Sequence, residues 1–229
     1  MEADGPEPVK VMTCSGVDAA TCNRLVYLGT MVAPDALAQG EIRRRAGRAW
    51  SIMSDLDNIW RSRCSTWKLK GRLFSALVLS VMLYNAEVWP LTKLDAEMVT
   101  GIYWRMLRSI CMRTVRGQSG IQQKKMARVK QNAMLKLLEL PTMPALLRQK
   151  RMISVGHALR RADNDVSKME VLKELALSSS IWTKCVLSDM KELKITSVKA
   201  LEDMSSNKVN FRKITSAYTQ IRGKRKLSK

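Results

Sequence analysis

From Leu73 to Tyr84 the chain reads LFSALVLSVMLY, an apolar run that only Ser75 and Ser80 interrupt. That is about one helix's worth of residues without a solvated face, so other helices must enclose it. The run is too short, and too basic at its start (Lys70, Arg72), to span a bilayer, which takes roughly 20 apolar residues. It predicts the central helix of a bundle, within the stretch Lys70 to Trp89. Everything C-terminal of Glu41 then reads as amphipathic helices gathered round it.

The flanking segments carry that pattern. Ile42, Ala46, Ala49, Met53, Leu56 and Trp60 recur at steps of four and three, the seam of a helix over Glu41 to Trp60. Ser65 or Thr66 can cap the central helix, which is expected to end at Asn85. Pro90 and the sequence Thr92-Lys93-Leu94-Asp95 open the next helix, with Val99, Ile102, Met106 and Ile110 on one side. Ser119 with Gln122 opens a helix through Leu138, and another runs from Ala145 to Arg161 with Arg148, Lys150, Arg151, Arg160 and Arg161 outward. Asp163-Asn164-Asp165 reads as a helix cap rather than a calcium loop, because the glycine and distal glutamate of such a loop are missing. Three shorter helices follow over Val166 to Leu177, Ile181 to Leu193 and Val198 to Tyr218, the last broken near Ser205-Ser206-Asn207. At the other end, residues 1–8 read as disordered. Val9 to Thr13 and Leu25 to Val32 read as two strands of one hairpin.

The expected fold is therefore mainly α. A short β segment occupies 1–40, a basic helical bundle 41–161, and a helical extension with a basic tail, RGKRKLSK, 162–229. Hydrophobic residues make up 46% of the 229, enough for a packed core, and 15 methionines against 5% aromatics suit adaptable helical packing.

Charge narrows the partner. The chain carries 40 Lys+Arg against 20 Asp+Glu, a net charge of +20. Residues 41–161 alone hold 24 bases and 7 acids, so the excess sits on the middle helices. A field of that sign draws polyanions, nucleic acid first among them. The candidate contacts are Arg44, Arg45 and Arg48 on the first helix, and Lys68, Lys70 and Arg72 at the start of the central one. These clusters serve either as phosphate clamps or as solvated faces. The second cluster also crowds a helix N-terminus, where the dipole disfavours cations.

The chemistry of a conventional active site is missing from the sequence. Neither nucleotide-binding glycine loop occurs, no Asp-Asp pair is present to hold magnesium, and the single histidine, His157, has no acid nearby in sequence to orient it. The five cysteines are widely spaced, without a zinc pattern or a disulfide framework, which fits a reducing compartment. The acidic N-terminus lacks the apolar core of a signal peptide. The expectation is an intracellular protein, nuclear or cytoplasmic, without a membrane span, a catalytic residue, a metal site or a small-molecule substrate.

Several patterns, taken in order, resemble the C-terminal part of the reverse transcriptase of non-LTR, LINE-type retrotransposons. Tyr27-Leu28-Gly29 resembles the Y-L-G stretch after the palm. Glu41-Ile42-x-x-Arg45 with Ala49 is similar to the family's E-I-x-x-R-I-x-x-A helix. Met82 to Trp89, with Tyr84, Glu87 and Trp89, resembles L-L-Y-G-x-E-x-W. Gly156-His157 with Arg160 resembles G-H-x-x-R, and Trp182, Asp189, Leu193 and Phe211-Arg212 resemble the W…D-L…W-R pattern near the family's end. This sequence departs from the pattern at Ala46, where the family has Ile, and at Asn85, where it has Gly. Asn tolerates the left-handed conformation that ends a helix. The resemblance implies a thumb and extension that hold primer–template duplex through phosphates. It implies that the catalytic aspartates and their magnesium belong to a palm lying upstream, so a palm-bearing polypeptide is an expected partner. The alternative is a non-catalytic structural or protein-interaction remnant with no nucleic-acid role.

Overall fold

The computed structural model describes residues 11–12, 18–19, 25–27, 29–32 and 38–217. The expected disorder of 1–8 and the basic tail 222–229 lie outside them. The architecture is mainly helical, as the periodicity predicts.

The β segment differs from expectation. Strand β1 (Val11–Met12) pairs antiparallel with β2 (Asp18–Ala19), not with the later stretch. That later stretch folds back on itself: β3 (Leu25–Tyr27) pairs with β4 (Thr30–Val32), Tyr27 opposite Thr30. Position 28 is outside the described residues, and Gly29, at φ +78°, completes the turn. Gly29 inside a β-prone run supplies a positive φ of the kind a tight hairpin link needs, and this outweighs the apparent continuity of the strand.

Helix α1 (Ala38–Asp55) buries Ile42, Ala46, Ala49 and Met53. It breaks at Leu56, and α2 (Asp57–Arg61) carries a fully buried Trp60 whose Nε1 donates to Met53 O at 2.9 Å. Arg113 reaches the same carbonyl at 3.0 Å and pairs with Asp57 at 2.8 Å, so the orphan acceptor at the end of α1 is satisfied from two sides.

The central rod begins as expected, with Thr66 Oγ1 accepting from Leu69 N at 3.2 Å. It runs as α3 (Trp67–Leu73), a π-helical stretch (Phe74–Leu79) and α4 (Ser80–Met82). Gly71 is what lets it approach the segment Gln131–Leu138, since a Cβ there would lie 1.9 Å from Leu138 O. The rod is not enclosed on all sides. Phe74, Val78, Leu79 and Met82 are sealed, but Leu69, Leu77 and Tyr84 are 41–47% exposed. The sealed side packs on α1 and on the segment Gln131–Leu138, with Phe74 against the Tyr103 ring, while Arg45 lies over the ring of Tyr84. Asn85 ends the rod in the left-handed region at φ 59°, as its residue type allows, and its Nδ2 donates to Thr30 Oγ1 at 3.0 Å. A 3₁₀ turn, Ala86–Val88, follows.

Thr92 and Asp95 form the expected capping box at the head of α5 (Lys93–Val115). The single helix expected from Ser119 to Leu138 is two, α6 (Gly120–Ala127) and α7 (Gln131–Leu138), broken at 128–130. Helix α6 buries none of its side chains, so nothing forces it to continue straight into α7.

Helix α8 (Met143–Leu159) joins two cores. Met143, Leu146 and Leu147 belong to the core built from α1, the rod, α5 and α7. Met152, Val155 and Leu159 belong to a second core with α9 (Val166–Leu177), α10 (Ile181–Glu192), α11 (Val198–Ser206) and α12 (Lys208–Thr215). The two cores meet along α8. Asp165 caps α9 by accepting from Ser167 N at 2.8 Å, as its sequence suggests.

Gly156 is a packing residue in the second core. A Cβ there would meet Phe211 Cε1 at 2.3 Å. Gly156→Ala is expected to cost about 1–3 kcal/mol, because the ring must leave its seat. Urea unfolding followed by circular dichroism checks it, and an unchanged midpoint would show that Phe211 moves freely.

Candidate nucleic-acid interface

Four of the six cations expected as phosphate contacts, Arg44, Arg45, Lys70 and Lys68, have partners within the protein. Glu41 is 3% exposed, and its carboxylate sits one helical turn below Arg44 and Arg45, at i+3 and i+4. It accepts from Arg44 Nε at 2.8 Å, Arg45 Nε at 2.7 Å and Met31 N at 3.1 Å. The Nη2 atoms of both arginines also donate to Gly29 O. The Arg45 guanidinium lies 4.3 Å from the centre of the Tyr84 ring. Burial alone would raise the Glu41 pKa, but the hydrogen bonds from Arg44, Arg45 and the Met31 amide outweigh it and hold the carboxyl below its usual 4.5. Arg44 and Arg45 therefore tie the β3–β4 hairpin, α1 and the end of the central rod together. Arg48, one turn further on, is exposed, as is Arg43.

Lys70 is the second correction. It is fully buried, and its Nζ donates to Trp60 O at 2.8 Å, Ser62 O at 2.8 Å and Thr114 Oγ1 at 3.0 Å. Those carbonyls end α2. The cation that looks misplaced at the start of α3 thus caps the C-terminal end of the preceding helix, where positive charge is favoured. Desolvation pushes its pKa down. Its neighbours stay near the surface: Lys68 is half-exposed and 3.5 Å from Glu139, and Arg72 is exposed.

The other residues singled out by motif meet at joints of the fold. Tyr27 ends β3, Leu28 lies outside the described residues, and Gly29 receives the two arginines. Glu87 accepts at its backbone oxygen from Trp182 Nε1 at 2.8 Å and has Lys150 3.7 Å from its carboxylate. Trp89 is buried. Arg160 donates to Ser205 O at 3.0 Å. Arg151, expected outward, is buried in a two-bond pair with Asp189, at 2.7 and 3.1 Å. His157 is exposed on α8. Desolvation, followed by the charges of Arg160, Lys208, Arg212 and Arg161, lowers its pKa.

An unneutralised basic surface lies elsewhere among the described residues. Residues 116–138 hold six Lys or Arg and no Asp or Glu. All six, Arg116, Lys124, Lys125, Arg128, Lys130 and Lys136, are exposed, and none makes an ion pair among the described residues. Arg108 anchors this segment from α5 by donating to Ala127 O at 2.8 Å and Val129 O at 3.3 Å. The sequence signal was present: a basic run without a single acid.

Among the described residues no group of three or more His, Cys, Asp or Glu is placed to hold a metal ion, and no helix is long and apolar enough to cross a membrane. In comparisons with known proteins, no family model, no curated protein and no solved structure matches this chain.

Proposed function

We propose that this chain is a thumb-like nucleic-acid-binding unit of the non-LTR retrotransposon reverse transcriptase type, which grips duplex by its phosphates and leaves polymerisation to a separate palm. The observation that carries the reading is the acid-free segment 116–138, whose six exposed cations make no ion pair among the described residues. Arg48 and Arg72 add exposed charge on α1 and α3. Paired cations have little left to offer a polyanion, whereas unpaired exposed ones release the counterions that drive phosphate binding.

Contacts of this kind carry no base readout, so duplex binding should be indifferent to sequence and fall steeply with salt. Lys124→Glu, Lys125→Glu and Arg128→Glu together should weaken binding uniformly across sequences and flatten the salt slope by about 3. Fluorescence anisotropy with a blunt 20-base-pair duplex at several salt concentrations measures both. A salt-independent affinity, or a triple variant that binds like the parent, rejects the reading.

A second reading draws on the exposed apolar side chains of the central rod, Leu69, Leu77 and Tyr84. Here the chain is a structural or protein-interaction unit that docks a partner on that face. It predicts self-association in light scattering and no duplex binding in the same titrations.

A further inference from the structure

A cleft of about 600 Å³ opens between α6 and the start of α3, a size usual for small-ligand sites. Trp67 and Met126 line it together with Arg63, Lys125, Gln118 and Gln122, and among the described residues no carboxylate lines it. Resting on the nucleic-acid reading above, the geometry points to a site for one unpaired nucleotide of a bound strand. A half-buried indole and a polarisable thioether offer a flat apolar seat for a base. Such stacking suits any base, because every base has a π-face. The two glutamine amides each present both donors and an acceptor, the complement of a base edge. Arg63 uses one donor on Gly117 O, at 3.2 Å, and a guanidinium has five. With exposed Lys125 it supplies positive charge for the adjoining phosphates.

The surroundings favour a strand over a small free anion. The six cations of 116–138 lie on the segment that includes one wall of the cleft, so a backbone leaving the site passes along unneutralised positive surface. An acidic peptide would satisfy the cations but leave the indole and the amides without a purpose. Bases inside a duplex are stacked away and cannot enter, so the occupant is an unpaired end or a splayed nucleotide.

The test uses the full chain with two fluorescent duplexes, one blunt and one bearing a three-nucleotide single-stranded overhang, at one salt concentration. The overhang should raise affinity on the order of 10-fold, the scale of one stacked base. Trp67→Ala should abolish that gain and leave blunt-duplex affinity unchanged. Because Trp67 also packs against the core, a Gln122→Ala/Lys125→Ala double variant on exposed α6 provides a second arm, which should lose most of the gain with an unaltered circular dichroism spectrum. An overhang carrying 5-iodouracil should photocrosslink to Trp67 or Met126. Blunt binding with no overhang gain, or a gain that survives both variants, overturns the site alone. Failure to bind either duplex overturns the site and the nucleic-acid reading together. Equal displacement of both duplexes by polyglutamate, with no gain from the overhang, assigns the cleft to acidic peptides instead and overturns the site.

Discussion

A Lys70→Ala chain should unfold with about 4 kcal/mol less free energy than the parent, in urea titrations at neutral pH. The reason is the set of groups around Nζ. Ser62 O has Lys70 as its donor at 2.8 Å, and the Trp60 O and Thr114 Oγ1 contacts lose their third member. Leaving a buried acceptor unpaired costs roughly 1–3 kcal/mol, and the vacated stem adds a cavity. Lys70→Met separates the two parts. It refills the space but offers no donor, so it should recover about half of the loss. Equal stabilities for Lys70→Met and the parent would mean that the ammonium does no structural work. A charge-removal experiment at Lys70 therefore measures folding, and binding studies are better directed at α6.

Glu41→Gln should cost about 3 kcal/mol at pH 7, since it removes the charge facing two arginines, one of them only 4% exposed. The effect should depend on pH in a defined direction. The Glu41 carboxyl is held below 4.5 in the folded chain, so its contribution is fully present above pH 4.5 and is lost as pH falls through the lower folded value. Thermal melts of parent and variant should therefore differ most near neutrality and converge in acid. A gap that stays constant down to pH 3 would mean that the carboxylate does not carry the interaction. The same variant should loosen the β3–β4 hairpin, because Met31 N and, through Arg44 and Arg45, Gly29 O all depend on this carboxylate.

Both residues show where a sequence reading of charge goes wrong. Arg45 and Lys70, expected as phosphate contacts, and Arg151, expected outward, are all buried. Each stands on an apolar seam: Arg45 between Ile42 and Ala49, Lys70 four residues before Phe74, and Arg151 midway between Leu147 and Val155. Helical periodicity alone would have turned all three inward. What it could not supply were the partners. Those lie far off in the chain for Lys70 and Arg151, at Thr114 and Asp189, while the hairpin carbonyl at Gly29 completes the set for Arg45.

Local order settled much else. The Thr92–Asp95 box, the Thr66 and Asp165 caps, the left-handed Asn85 and the break near Asn207 follow from side chains that satisfy or release nearby backbone groups, and such interactions are written within a few residues. The seams of α1 and α5 follow from a spacing that buries one face whatever it meets. Tertiary structure decided the rest. It determined which side of the apolar rod is sealed, how the hairpin pairs, which cations are neutralised and where a cleft opens beside Trp67. Each of these depends on surfaces from distant parts of the chain arriving at one place, and a one-dimensional pattern of hydrophobicity and charge carries no record of that distance.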